Sequence, residues 1–192
     1  MTETAAAQTT RRGEILAAAA ELFARHGYRG VSIGDLGAAV GLTGPALYRH
    51  FRSKDAVLAE MLLDISQRLL TEGSRRAAGP EDPLDALIGW HVSFALGNPA
   101  LITVHERELG NVPETDRREI RRVQRAYVEE WVRVLRAERE GLGAERARAA
   151  VHAVFGLLNS TPHSAGDLDR DAMAGLLCGM ARAALDQVGR PV

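Results

Sequence analysis

The residues between Val31 and Lys54, VSIGDLGAAVGLTGPALYRHFRSK, have types and an order that could do chemistry on a polyanion. Thr43, Gly44, Pro45 and Ala46 are small, and at the start of a helix they would let the backbone approach base edges in a DNA major groove. Arg49 brings a guanidinium, and Tyr48 and His50 offer donors to phosphate oxygens. Lys54 opens the next helix, whose own N–H groups attract anions. Leu47 and Phe51 complete the run. With Leu36, Val40 and Leu42 they equally suit the core that fixes the crossing of two short helices, and Tyr48 could do the same. A helix of about eight residues, a glycine turn at Gly41 and a second short helix make the layout of a helix-turn-helix.

Elsewhere the candidates are sparser. His105 and Glu108 share a helical face at the i, i+3 spacing of carboxylate-bridged metal sites, the basis of an alternative reading as a small metal-dependent enzyme. No second helix offers the matching pair. Cys178 sits mid-helix among apolar residues, where a packed thiol is expected, and no nucleophile–base–acid set can be assembled. The sequence thus assigns no catalytic residue, metal ligand or cofactor. The large aromatics Trp90, Phe94, Tyr127, Trp131 and Phe155, with Ile102 and the polar His91, His105, Asn159 and His163, could line a pocket for an apolar or amphipathic molecule. Plain core packing is the competing reading of each.

Helices must hold these residues, and nearly every segment has a helical period. Apolar positions from Arg11 to His26 predict a first helix stopped by Gly27. Ser32 and Asp35 predict a capping box on a second that runs to Val40. Thr43 caps a third with Pro45 in its first turn, ending near Phe51, and Ser53 caps a fourth reaching about Arg75. Gly79–Pro83 is a break. A fifth helix ends at Asn98-Pro99, a sixth spans about 100–109, and a long seventh carries Ile120, Val123, Tyr127, Trp131 and Val134 on one stripe. An eighth spans about 144–160, 161–168 is loop, and a ninth spans about 170–188. The fold class is all-α, with about nine helices.

Composition narrows the classes. The 192 residues carry 24 basic and 25 acidic side chains, which excludes a polybasic nucleic-acid coat or an acidic tail. Residues 1–55 hold seven basic and five acidic residues against 17 and 20 in the remainder, so any polyanion is expected at the N-terminal end. A single cysteine excludes an internal disulfide framework and suggests a reducing compartment. With no long apolar run and a polar, Ala-rich 1–10, the reading is a cytoplasmic protein with no membrane partner and no signal peptide. The expected organisation is a disordered tail over 1–10, a helix-turn-helix domain over 11–52 and a second domain over 53–192.

The run LFARHGYRGVSIGDLGAAVGLTGPALYRHFRSKDAVL resembles the TetR/AcrR family of transcriptional regulators, and its LYRHFRSK segment is specific for that family. The resemblance implies a recognition helix from Thr43 to Phe51, with Tyr48, His50 and Lys54 holding the backbone of double-stranded operator DNA. Ser32 would cap the preceding helix against it. Ile33 and Gly34 replace larger polar side chains of some members, and Gly44 offers nothing for base readout, so specificity would rest on Thr43, Arg49 and DNA shape. The same resemblance implies a homodimer through the last two helices, where Ala147, Ala150, Val151, Val154, Leu158, Leu176, Leu177, Met180, Ala181 and Ala184 mix small and large apolar residues. It further implies repression as the usual mode, with activation as the alternative. The effector would be apolar or amphipathic, an acyl thioester or fatty acid before a drug-like or polyketide molecule, bound between helices five, six and seven.

Overall fold

The computed structural model describes residues 2–164 and 168–188, with side chains from residue 11 onward. The fold is all-α. In chain order the helices are α1 (Thr2–His26), α2 (Ile33–Ala39), α3 (Gly44–Leu47), α4 (Lys54–Ala77), α5 (Pro83–Gly97), α6 (Pro99–Glu108), α7 (Glu114–Glu138), α8 (Ala144–Leu158), α9 (Thr161–Ser164) and α10 (Arg170–Asp186). No single helix among the described residues is long and apolar enough to cross a membrane.

Local chemistry explains most boundaries. The Ser32 hydroxyl accepts from the Asp35 N–H at 3.1 Å while the Asp35 carboxylate accepts from the Ser32 N–H at 2.8 Å, the reciprocal cap expected for α2. These bonds hold the Asp35 carboxyl below the usual carboxylate range. Gly41 turns the chain at φ +68°, a left-handed conformation that favours glycine. The Asp82 carboxylate caps α5 by accepting from the Leu84 and Asp85 N–H groups at 3.1 and 2.9 Å.

The backbone is helical from Thr2, the alanine run at 5–7 having high helix propensity, and Met1 lies outside the described residues. Two element boundaries need correction from the sequence expectations. The third helix stops at Leu47 rather than near Phe51, because the Arg49 and His50 N–H groups bond to carbonyls three residues back. Thr161–Ser164 forms the short α9 inside the stretch expected as loop, of which residues 165–167 lie outside the described ones. The chain divides into compact units 1–64 with 100–120, and 65–99 with 121–192. The Asn98-Pro99 break falls where the second unit hands the chain back to the first.

In the first unit α2 packs on α1 and α3 over Ile15, Phe23, Leu36, Leu47 and Phe51, all buried. In the second, α10 packs on α5 and α8 over Leu87, Val151, Leu158, Leu177 and Leu185. Arg182 ties that bundle together, donating to Asp82 and Asp85 near the start of α5, to Glu138 ending α7 and to Asp186 on its own helix at 2.9–3.2 Å.

Candidate functional site

The surface of the first unit around α3 is built from a cap and a turn. Thr43 is exposed, and its Oγ1 accepts from the Ala46 N–H at 3.4 Å, a long bond that leaves the side chain at the helix edge. Pro45, Tyr48 and Arg49 are exposed beside it, with Gly44 and His50 half-buried. Tyr48 is 54% exposed, so its hydroxyl and ring stand open to solvent. Ala46, Leu47 and Phe51 point inward and are buried. Arg12 of α1 closes the turn from beneath: its guanidinium donates to the His50 carbonyl and to Glu60, and lies 4.3 Å from the centre of the Phe51 ring. A cleft of about 410 Å³ opens next to this turn, lined by His50, Phe51 and Arg52 with Glu60, Leu63 and Asp116.

Lys54 lies inside this frame. Its ammonium donates to the Tyr28 carbonyl at 2.8 Å and to the Val31 carbonyl at 2.7 Å, and it rests 4.1 Å above the Tyr28 ring. These are the carbonyls of the α1–α2 turn, so the lysine ties the start of α4 to the entrance of α2.

In the second unit the smaller polar residues Ser66 and Thr161 are buried, as is His91 of α5. Its Nε2 donates to Asn159 Oδ1 at 3.0 Å, which leaves Nδ1 to accept from the Tyr127 hydroxyl at 3.4 Å. Around it stand Tyr127 (ring centres 5.9 Å apart), Trp131 (6.0 Å) and Phe155 (4.8 Å). Burial pushes the Tyr127 phenol well above the usual tyrosine value, so the phenol stays protonated. The neighbouring Trp131 N–H opposes that shift, yet it is fully enclosed without a hydrogen bond of good geometry among the described residues. Three aromatic rings beside an amide and an imidazole, with a phenol and an indole N–H among their polar atoms, can orient one polar group of a mainly apolar molecule.

Both regions have counterparts in known proteins. Residues 15–61 match the family model for bacterial regulatory proteins, tetR family, and residues 77–185 match the tetracyclin repressor-like C-terminal domain. The chain belongs to the TetR/AcrR family of transcriptional regulators. It is 27% identical over 167 residues to the HTH-type transcriptional repressor KstR2 of Mycolicibacterium smegmatis, covering 83% of this chain and 79% of that one. The crystal structure of a TetR-family transcriptional regulator from Bordetella parapertussis superposes with a TM-score of 0.78 at 25% identity, over 88% of this chain and 93% of that one. The transcriptional regulator FadR from Bacillus subtilis, solved in complex with stearoyl-CoA, shares the fold with a TM-score of 0.73 at 17% identity, over 93% and 98% of the two chains.

For this TetR-family regulator, the expected DNA contacts divide. Ser32, Thr43, Pro45, Tyr48 and Arg49 lie exposed, Gly44 and His50 partly so, whereas Ala46, Leu47 and Phe51 are core. Lys54 commits two of its three N–H donors to carbonyls inside the protein. The expected pocket residues divide too. His91, Tyr127, Trp131, Phe155 and Asn159 come together, Phe155 from α8 and Asn159 from its end. Trp90 and Phe94 pair with each other at 5.9 Å and turn to α4, where the Trp90 N–H donates to the Leu69 carbonyl and Arg76 and Arg68 cover the two rings. Ile102 and His105 belong to the first unit, and His163 is exposed on α9. Among the described residues no group of three or more His, Cys, Asp or Glu could hold a metal ion, and the Glu108 carboxylate bonds to Tyr28 and Asn111.

The sequence reading missed Tyr28 and Arg12, and weighed Glu108 only as a metal ligand beside His105. A lone buried-type tyrosine after Gly27 and an arginine facing Glu60 were the available signals; neither has a spacing that marks it.

Proposed function

We propose that the chain is a homodimeric repressor that binds operator DNA through the exposed edge of α3 and is released by an acyl thioester or fatty acid held at the His91 cluster. The observation that carries the effector reading is the composition of that cluster: buried hydrogen-bonding groups inside aromatic walls, with the Trp131 N–H lacking a well-formed bond. A thioester or carboxyl oxygen would supply the missing acceptor while the alkyl chain took the place of packed side chains. The rings lie 4.8–6.1 Å apart, so entry requires them to part. The similarly folded FadR with stearoyl-CoA supports the ligand class, and the relative KstR2, a repressor, supports the sign of action.

Dimerisation is proposed through the outward part of the two helices read in the sequence, which keeps Leu176, Met180 and Ala184 of the expected set. Ala147, Val151, Val154, Leu158, Leu177 and Ala181 are buried within the protomer. The outward residues are Ala149, Ala153 and Gly156 on α8, and Ala172, Leu176, Met180 and Ala184 on α10. Leu176 and Met180 are 48% and 47% exposed, and an apolar strip of this kind suits a second copy.

The test is a mobility-shift titration of operator DNA, first selected from a random pool with the full-length protein. Stearoyl-CoA and stearate should release the DNA and change the tryptophan emission of Trp131, and His91→Leu should blunt both. Release by small charged metabolites alone would refute the effector class; failure to select any operator would refute DNA binding.

A further inference from the structure

Glu108 is the last residue of α6 and one of few charged side chains buried in the protein, at 9% exposure. Two physical effects oppose a carboxylate there. Burial costs its hydration, and the C-terminal end of a helix carries partial negative charge. The structure shows what it does in return. Oε1 accepts from the Tyr28 backbone N–H at 3.1 Å, and Oε2 accepts from the Asn111 side chain at 2.6 Å. Gly27, at φ +70°, makes the turn that aims the Tyr28 N–H at α6.

Tyr28 is held from the other side by α4. Lys54 takes its carbonyl and lies over its ring, and its hydroxyl donates to Asp55. One residue thereby joins the end of α6, the turn leading into α2 and the first turn of α4. The burial of the Tyr28 ring, together with its bond to Asp55, drives its phenol pKa strongly upward, so this contact persists through the neutral range.

We propose that Glu108 is a positioning residue for DNA recognition, whose carboxylate holds the α2–α3 pair at a fixed angle to α6 through the Tyr28 N–H. The inference rests on the dimeric operator-binding reading. In a dimer, two heads fixed in angle accept half-sites at one separation, whereas heads free to rock read the same bases at several separations. Glu108 touches no DNA in this scheme, so its loss changes the spacing preference and leaves the base preference of each half-site intact.

The experiment selects operators from a random DNA pool with the full-length wild type, Glu108→Ala and Glu108→Gln, with thermal unfolding measured alongside. The wild type should enrich paired half-sites at a single separation. Glu108→Ala should enrich the same half-site sequence over a spread of about two base pairs and bind the wild-type operator roughly tenfold more weakly. Glu108→Gln keeps an oxygen for the Tyr28 N–H and should restore the single separation. If Glu108→Ala fails to fold, Asn111→Ala, which frees one carboxylate oxygen, should broaden the spacing in the same direction by less. A single unchanged separation in whichever of these two variants folds, with only the melting temperature lowered, would overturn the proposal and leave Glu108 a structural cap. A wild type that enriches no paired half-sites would instead overturn the dimeric reading beneath it.

Discussion

The turn around Tyr28 and the cluster around His91 are both buried polar networks, and they are built on opposite terms. At Tyr28 the bonds use the backbone N–H, the backbone carbonyl and the phenol, each with a charged partner from another element. At His91 the contact to the Tyr127 hydroxyl is 3.4 Å long, and the neighbouring Trp131 N–H lacks a well-formed partner. A network closed on itself resists change, because each displaced group loses a bond. One that is short of partners gains by accepting a foreign group. Under the proposed function the turn around Tyr28 would belong to the rigid reader and the His91 cluster to the adaptable sensor.

Glycines give the sharpest way to break this contrast. A Cβ on Gly37 would stand 2.7 Å from the Leu42 carbonyl oxygen, backbone against backbone in the α2–α3 turn. Gly37→Ala should cost about 3 kcal/mol and abolish operator binding, read by thermal unfolding and mobility shift. A Cβ on Gly73 would stand 2.8 Å from Tyr127 Cε2, a ring in the adaptable cluster. Gly73→Ala should cost about 1 kcal/mol or less, since alanine's helix propensity offsets about that much of the crowding.

Lys54→Ala comes next in size. It leaves the Tyr28 and Val31 carbonyls without their cation and should destabilise the chain by about 2 kcal/mol. Operator affinity should fall with no change in salt slope, in contrast to a lysine that neutralises a phosphate. Thr43→Ala removes a weak cap and should cost under about 1 kcal/mol of stability. It should alter base preference at one symmetric operator position, read by the same random-pool selection.

The smallest effect is with pH. Burial lowers the His105 pKa below its ordinary value, so acid protonates the unfolded chain before the folded one. Stability should be level above the ordinary histidine pKa and decline as pH falls through it, by under about 1 kcal/mol at pH 6 from this residue. His105→Gln should remove that part of the decline in thermal unfolding followed from pH 7.5 to 5.5.

Most of the fold was legible because its signals are local. The Ser32–Asp35 cap, the Gly41 turn and the Asn98-Pro99 break act within a few residues, and the structure has each of them. What the sequence hid depends on groups far apart in the chain. Lys54 reads as a phosphate contact until the carbonyls of residues 28 and 31 are seen beneath it. Ile102 and His105 carry a pocket-like pattern, but no periodicity reveals that their helix belongs with the head. Glu108 drew attention as a partner for His105, whereas its actual partner is a backbone N–H eighty residues away.

Hydrogen exchange of the full-length protein, with and without stearoyl-CoA, tests the contrast most directly. The account predicts slowed exchange in peptides spanning 87–95, 123–131 and 151–159, with the amides of the Tyr28–Lys54 frame equally protected in both states. Ligand-dependent exchange confined to that frame, with no change around His91, would contradict it.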